Sequence, residues 1–214
     1  MLATSSLTLE EGSRITTDAL ENNGSGGDIS IQTSSLILRD ANTKIASDTQ
    51  RSGGNSGVIS IQAEIMVISD GAQVSSRSAS DGNSGDILVQ VDSLEISNGG
   101  LISGQAVGNG KGADVDIKAD KSVTINGLAG AATGVSVSSL NLNFFSSGAN
   151  GDAGDVNITT PFLTLNSGGK ITAESLTPAS GAPGSITLNV DELALLGASS
   201  ISTKTASRSD GGAI

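Results

Sequence analysis

The chain contains no cysteine, histidine, tryptophan or tyrosine. Without cysteine and histidine it cannot form a disulfide scaffold, a thiolate or imidazole metal site, or a nucleophile activated by histidine. Basic residues are also scarce, because 11 Lys and Arg stand against 22 Asp and Glu and leave a net charge of −11. Such a chain lacks the basic surface and the aromatic stacking partners that nucleic-acid binding requires, so we expect no nucleic-acid partner.

Long apolar runs are absent as well. No stretch approaches the 18 consecutive apolar residues of a membrane-spanning helix, so we expect no membrane insertion. Residues 1–6 lack the charged and apolar regions of a signal peptide, and any export signal is therefore expected outside this piece. What the chain does have is 29 glycines, many serines, and enough Ile, Leu, Val and Phe to bury a core.

A repeat of 28 to 30 residues runs through the sequence. Each unit opens with a glycine, usually one acidic residue, and an apolar-x-apolar pair, as in Gly27-Asp28-Ile29-Ser30-Ile31. Two further apolar clusters follow at nearly fixed offsets, and within each cluster apolar and polar residues alternate with the period of a β-strand. The first apolar positions of successive units are Ile29, Ile59, Ile87, Val115, Val156 and Ile186. The third cluster is marked by Ile15, Ile45, Val74, Ile102, Val135, Ile171 and Ile201.

The repeat predicts how the units are arranged. One unit has too little apolar surface to offset its ordering entropy, so units must stack on each other. Identical clusters stack best strand on strand, about 4.8 Å apart. Connections between such parallel strands are right-handed in nearly all proteins. The sequence therefore predicts an all-β fold, a right-handed parallel β-helix (β-solenoid) of about six to seven three-sided coils, each of 28–30 residues.

The repeat also predicts the domain organisation. Residues 1–214 form a single β-helix segment, and a long insertion falls within the coil at 126–153. Both ends fall in mid-coil and neither shows the polar cap of a finished solenoid. We therefore expect a slice of a longer polypeptide, whose ends could associate end to end with other copies.

The pattern Gly-[Asp/Val]-Ile-x-Ile-x-Ala-x-x-Leu-x-Leu-x-x-Gly-Ala-x-Ile resembles the repeats of filamentous-haemagglutinin-like exoproteins of two-partner secretion. It is especially similar to the very large cyanobacterial members that are labelled S-layer family proteins. The segment Gly57 to Val74 carries the resemblance with almost no gap, at Ile59, Ile61, Ala63, Met66, Ile68, Gly71 and Ala72. The resemblance covers essentially the whole chain, but the N-terminal secretion domain of the family is absent from it.

The resemblance implies a structural or adhesive rod segment of a large secreted bacterial surface exoprotein, and not an enzyme. It implies an extracellular or cell-surface location, an outer-membrane secretion partner for the parent chain, and cell-surface or matrix glycans or proteins as adhesion partners. Two alternatives stay open. The first is a polysaccharide-active enzyme, because polysaccharide lyases and hydrolases also use parallel β-helices, and the second is the stalk of a contact-dependent toxin.

Acidic columns are the first candidate for chemistry. Carboxylates precede the first strand at Asp28, Asp86, Asp114 and Asp155, and follow it at Glu64, Asp92, Asp120 and Asp191. Carboxylates stacked one coil apart could be bridged by structural calcium, or could act as a glycosidase pair. The simpler interpretation is that Gly-Asp marks a turn whose side chain bonds backbone N–H groups. We predict no catalytic residue, no metal ligand and no cofactor.

The insertion is the second candidate, because function in solenoids commonly lies on loops that leave the regular coil. The proposed contact residues for another chain or a glycan are Leu142, Phe144 and Phe145. The alternative is that these apolar side chains fold back onto the coil wall as a small additional core. Phe162 is the one other phenylalanine in the chain.

Overall fold

The computed structural model describes residues 1–20, 24–50, 53–79, 81–128, 130–140, 151–176, 181–206 and 210–214. Within these ranges the chain forms β-strands and no helix. The strands are β1 (Leu2–Ala3), β2 (Ser6–Leu9), β3 (Arg14–Thr16), β4 (Ile29–Gln32), β5 (Ser35–Leu38), β6 (Lys44–Thr49), β7 (Ile59–Ile68), β8 (Gln73–Ser78), β9 (Ile87–Ser97), β10 (Leu101–Val107), β11 (Val115–Asn126), β12 (Gly134–Leu140), β13 (Val156–Asn166), β14 (Lys170–Ser175), β15 (Ile186–Leu195) and β16 (Ser200–Thr205).

These strands form two parallel sheets. Sheet A has the order β1-β4-β7-β9-β11-β13-β15, with β2 pairing β5 and β5 pairing β7, and sheet B has the order β16-β14-β12-β10-β8-β6-β3. The chain alternates between the two sheets, and each return to a sheet places a strand beside its equivalent in the previous unit. The protein is therefore a β-solenoid of about six turns, which confirms the fold class predicted from the repeat.

The predicted apolar ladders are confirmed by the pairing register. Ile59 lies opposite Ile29 on one side and Ile87 on the other. The same column continues through Val115, Val156 and Ile186. The column of the third cluster runs without a break from Ile15 to Ile201 in sheet B. The inward-facing side chains of both sheets merge into one hydrophobic core.

The first two apolar clusters of a unit were expected on two separate strands. In the central coils they lie on one continuous strand, such as β7 or β9. The alternation of buried and exposed residues changes phase within that strand, because Glu64 and Ile65 both face outward between buried Ala63 and Met66. No glycine or proline breaks the strand at this point. The backbone therefore turns the corner through an irregularity and not through a loop.

A tight turn separates the second and third clusters. Asp70 and Gly71 have φ angles of 55° and 86°, and Asn98 and Gly99 have φ angles of 48° and 87°. Two successive residues with positive φ favour glycine, asparagine and aspartate, because most other side chains are strained there. This preference explains the Asp-Gly and Asn-Gly pairs at these turns.

Glycine and serine pack the corner between the third cluster and the next first strand. A Cβ added to Gly85 would overlap the carbonyl oxygen of Gly57 in the coil before it. Ser47 lies beside the same corner, and its buried Oγ accepts a hydrogen bond of 2.8 Å from the backbone N–H of Gly57. At this corner, glycine therefore allows close backbone approach between stacked coils, and serine satisfies a backbone N–H.

The core columns are open at both ends of this chain. Leu163 and Leu165 are completely buried, whereas Leu193 and Leu195, which continue the same columns in the terminal coil, are 43% and 47% exposed. At the other end Leu7 is only partly buried. The exposure follows from stacking, since a core residue needs a coil on each side to be covered.

Candidate functional site

The carboxylates that precede the first strand bond the next coil. Each Oδ1 accepts a hydrogen bond from the backbone N–H at the equivalent position one unit later. The bonds are Asp28 to Val58 at 2.8 Å, Asp86 to Asp114 at 3.1 Å, Asp114 to Asp155 at 2.8 Å and Asp155 to Ser185 at 2.7 Å. These carboxylates therefore help to hold successive coils together.

A second column of the same kind lies a few residues earlier in three successive units. Asn55 Oδ1 accepts a bond of 2.9 Å from the N–H of Asn83, and Asn83 Oδ1 accepts one of 2.8 Å from the N–H of Lys111. Aspartate in one column and asparagine in the other make the same bond to a backbone N–H. This favours the simpler interpretation of the Gly-Asp pairs, in which the side chain bonds backbone N–H groups. The N–H belongs to the next coil, which the sequence did not indicate.

Calcium needs several oxygen ligands at once. In the part of the chain that the structure describes, no group of three or more Asp or Glu side chains is arranged to hold a metal ion.

A polar groove runs along the outer face of sheet A, beside the change of phase in the long strands. It consists of three adjoining cavities of about 470, 440 and 240 Å³. Gln62 and Gln90 line both the first and the second cavity, and Lys118 and Thr159 line both the second and the third. The shared walls place the three cavities side by side from β1 to β15, and we refer to them together as the polar groove.

A column of exposed polar side chains forms the floor of the polar groove. Its members lie opposite each other in successive strands: Gln32, Gln62, Gln90, Lys118, Thr159 and Asn189. This column was not predicted from the sequence. Its signal is a glutamine at the same offset from the first apolar residue in three successive units, which is also what ordinary outward polar surface looks like.

The polar groove is negatively charged. Its lining includes five carboxylates and one lysine, Lys118: the carboxylates are Glu64, Asp92, Asp116, Asp120 and Asp191. Four of these five belong to the acidic positions that follow the first strand, so the structure brings that predicted column to one surface.

Two lysines partly offset this charge. Lys121 Nζ lies 2.8 Å from Asp92 Oδ2, and Lys118 Nζ lies 3.9 Å from Asp120 Oδ1. The hydrogen bond and the charge of Asp92 raise the pKa of Lys121, which stays protonated at neutral pH. Both pairs are largely exposed, so solvent screens them and their contribution to stability is small. Even with both lysines counted, the carboxylates remain in excess.

The contact residues predicted in the insertion, Leu142, Phe144 and Phe145, lie outside the described residues. The coil that contains the insertion keeps its register, because β12 pairs residue by residue with β10 and β14. The remaining phenylalanine, Phe162, lies on the outer face and is 53% exposed. It directly follows Pro161, which lines the end of the polar groove.

In the described residues no helix is long and apolar enough to span a membrane. Comparisons with protein-family models, with curated proteins and with solved structures found no match to this chain.

Proposed function

We propose that this chain is a structural and adhesive rod segment of a large secreted bacterial surface exoprotein of the filamentous-haemagglutinin type. The observation that supports this function is the in-register parallel pairing of both sheets from the first unit to the last. A repeat that maintains its register in this way can be extended by further units without changing its core. A rod of this kind can therefore become longer simply by gaining repeats.

The mechanism of the rod is mechanical. Inter-strand hydrogen bonds in these parallel sheets are evenly spaced and slanted, and because each joins one coil to the next they run along the stack of coils. Stretching the rod loads the hydrogen bonds of both sheets together. The carboxylate and asparagine columns add side-chain bonds along the same axis, as between Asp155 and Ser185. A rod of this kind extends whatever it carries away from the cell surface.

Export would use an outer-membrane secretion partner, and the rod would be located outside the cell. The partners of its lateral surface would be glycans or proteins of a cell surface or matrix. Of the two enzyme alternatives the lyase is less well supported, because lyases of acidic polysaccharides need basic residues in the groove, whereas the polar groove is acidic. The stalk of a contact-dependent toxin would have the same rod structure, but its parent chain would also contain a toxin domain.

The isolated chain is expected to associate end to end, whereas in a longer parent chain a further repeat would cover the same surface. The exposed core positions Leu193 and Leu195 should make the isolated chain associate at high concentration, because stacking a second copy buries apolar surface. Replacing both leucines by lysine should shift the chain to a monomer in sedimentation velocity. Ile65→Lys is the matched control, since Ile65 is 51% exposed but lies in the middle of the rod. A wild-type chain that stays monomeric, or a control that acts like the double variant, would contradict end-to-end stacking.

Sequencing the parent gene outward from both ends of this chain tests the proposed function. We expect an upstream secretion domain of the haemagglutination type and further repeats of 28–30 residues. A compact reading frame with polar caps on either side of this solenoid would contradict the proposal and favour a free-standing β-helix enzyme.

A further inference from the structure

We propose that the polar groove binds an extended, uncharged polysaccharide that lies parallel to the axis of the solenoid. This inference rests on the adhesive part of the proposed function and names the chemical class of its partner. The groove residues that carry it are Gln32, Gln62, Gln90, Thr159 and Asn189 on the floor, with Phe162 beside one end.

The shape of the groove suits a long ligand. Sites for small molecules enclose most of the ligand within largely apolar walls, whereas this groove is open and its floor is polar. It crosses the strands of seven successive units, from β1 to β15. At about 4.8 Å per strand it is on the order of 30 Å long. A single sugar would occupy a small part of it, and a chain of sugars could fill it.

The chemistry of the floor suits hydroxyl groups. A glutamine or asparagine amide donates through its NH₂ group and accepts through its carbonyl oxygen, and a threonine hydroxyl does both. A sugar hydroxyl also both donates and accepts, so the floor side chain of each coil can form hydrogen bonds with the sugar that lies beside it. Gln62 and Gln90 are adjacent in this column and both are exposed, so their amides are accessible to a ligand.

The spacing of the floor favours a sugar chain over a peptide. One polar side chain recurs per coil, at about 4.8 Å, which is close to the advance of an extended pyranose chain per sugar. In an extended peptide the side chains on one face recur every second residue, at roughly 6.8 Å. A peptide lying along the groove would therefore lose register with the floor after a few coils.

The charge of the groove selects against acidic polysaccharides. Asp92, Asp120 and the other lining carboxylates outnumber Lys118, the one lysine in the lining. A polyanion would meet repulsion from these carboxylates along most of the groove. Carboxylates also accept hydrogen bonds from sugar hydroxyls. The ligand favoured by this electrostatics is an uncharged polysaccharide.

Phe162 provides an apolar surface at one end. It is 53% exposed and directly follows Pro161, which lines this end of the groove, so it offers an apolar surface to a sugar that extends past the lining residues. Aromatic side chains beside a few polar groups are a usual composition for ligand sites.

Isothermal titration calorimetry with oligosaccharides of glucan, mannan, galactan and chitin tests the inference. We expect at least one of these to bind the whole chain, longer oligomers to bind more tightly than disaccharides, and polygalacturonate oligomers to bind more weakly. The double variant Gln62→Ala/Gln90→Ala should weaken binding about tenfold, because it removes an amide from each of two neighbouring coils.

Gln73→Ala is the matched control, because Gln73 is an exposed glutamine on the outer face of sheet B. It should leave the affinity unchanged. Thermal melts should show that all variants fold like the wild type. The inference is overturned if no uncharged oligosaccharide binds, if polygalacturonate binds more tightly, or if Gln73→Ala weakens binding as much as the groove variant. None of these results affects the proposed rod, which the parent gene tests independently.

Discussion

Replacing Gly104 by alanine is expected to lower the free energy of unfolding by about 3 kcal/mol, the upper part of the range for overpacked cores. A Cβ added to Gly104 would lie 2.5 Å from the Cβ of Ala113 and 3.0 Å from its carbonyl oxygen. Both residues are buried in the corner between sheet B and the next first strand. Neither chain segment can move away without separating stacked coils, so the clash cannot be relieved cheaply.

An equivalent pair of residues elsewhere in the chain shows how this clash can be avoided. Gly104 and Ala113 occupy the positions that Ser47 and Gly57 occupy two units earlier. In that earlier unit the side chain is on the strand and the glycine is on the turn, and Gly57 donates its N–H to Ser47. In each pair only one of the two residues has a Cβ: Ser47 on the strand in the earlier unit, and Ala113 on the turn in the later one.

The double variant Gly104→Ala/Ala113→Gly should recover most of the lost stability, and urea unfolding of the four proteins of this cycle measures the coupling between the two sites. Gly27→Ala is the control, because its added Cβ would meet Thr17 at an ordinary 3.6 Å. A harmless Gly104→Ala substitution, or a double variant that adds the two losses, would show that β10 and the corner before β11 are not tightly packed against each other here.

The second large effect is expected in the core ladder. Ile87→Ala should lower the free energy of unfolding by about 2–5 kcal/mol, because it leaves a cavity between stacked side chains. Ile87 is completely buried and lies between Ile59 and Val115 in its column. A solenoid transmits such a defect to both neighbouring coils, since each unit is stabilised mainly by its neighbours.

Leu88→Ala provides the comparison within the same strand. Leu88 follows Ile87 directly, faces outward and is 40% exposed. Its truncation removes a side chain of the same size from the outer face and should change stability by less than about 1 kcal/mol. Chemical denaturation of both variants would show which side chains of β9 face the core. Equal losses, or a larger loss for Leu88→Ala, would contradict the register of β9.

The ladders were predictable from sequence because they rest on periodicity. Ile29, Ile59 and Ile87 recur at nearly constant spacing, and only stacking in register buries all of them. The turns at Asp70 and Asn98 also have a local signal in the sequence, because each of these residues is followed by a glycine and both residue types favour positive φ.

Other features depend on contacts between units, which a single repeat does not show. The corner at Glu64 and Ile65 carries no turn residue, so the sequence could not distinguish a bent strand from two strands. The glutamine column and the carboxylate column are ordinary surface residues in one unit. They become a groove and an inter-coil ladder only when Gln62 lies beside Gln90, and Asp114 beside Asp155.

Immunogold electron microscopy with antibodies raised against this chain tests the proposed surface rod most directly. On intact cells of the organism that produces the parent protein, we predict gold particles along fibres that extend outward from the cell envelope, without permeabilisation. Labelling that appears only after the cells are permeabilised would place the chain inside the cell and contradict a secreted surface rod.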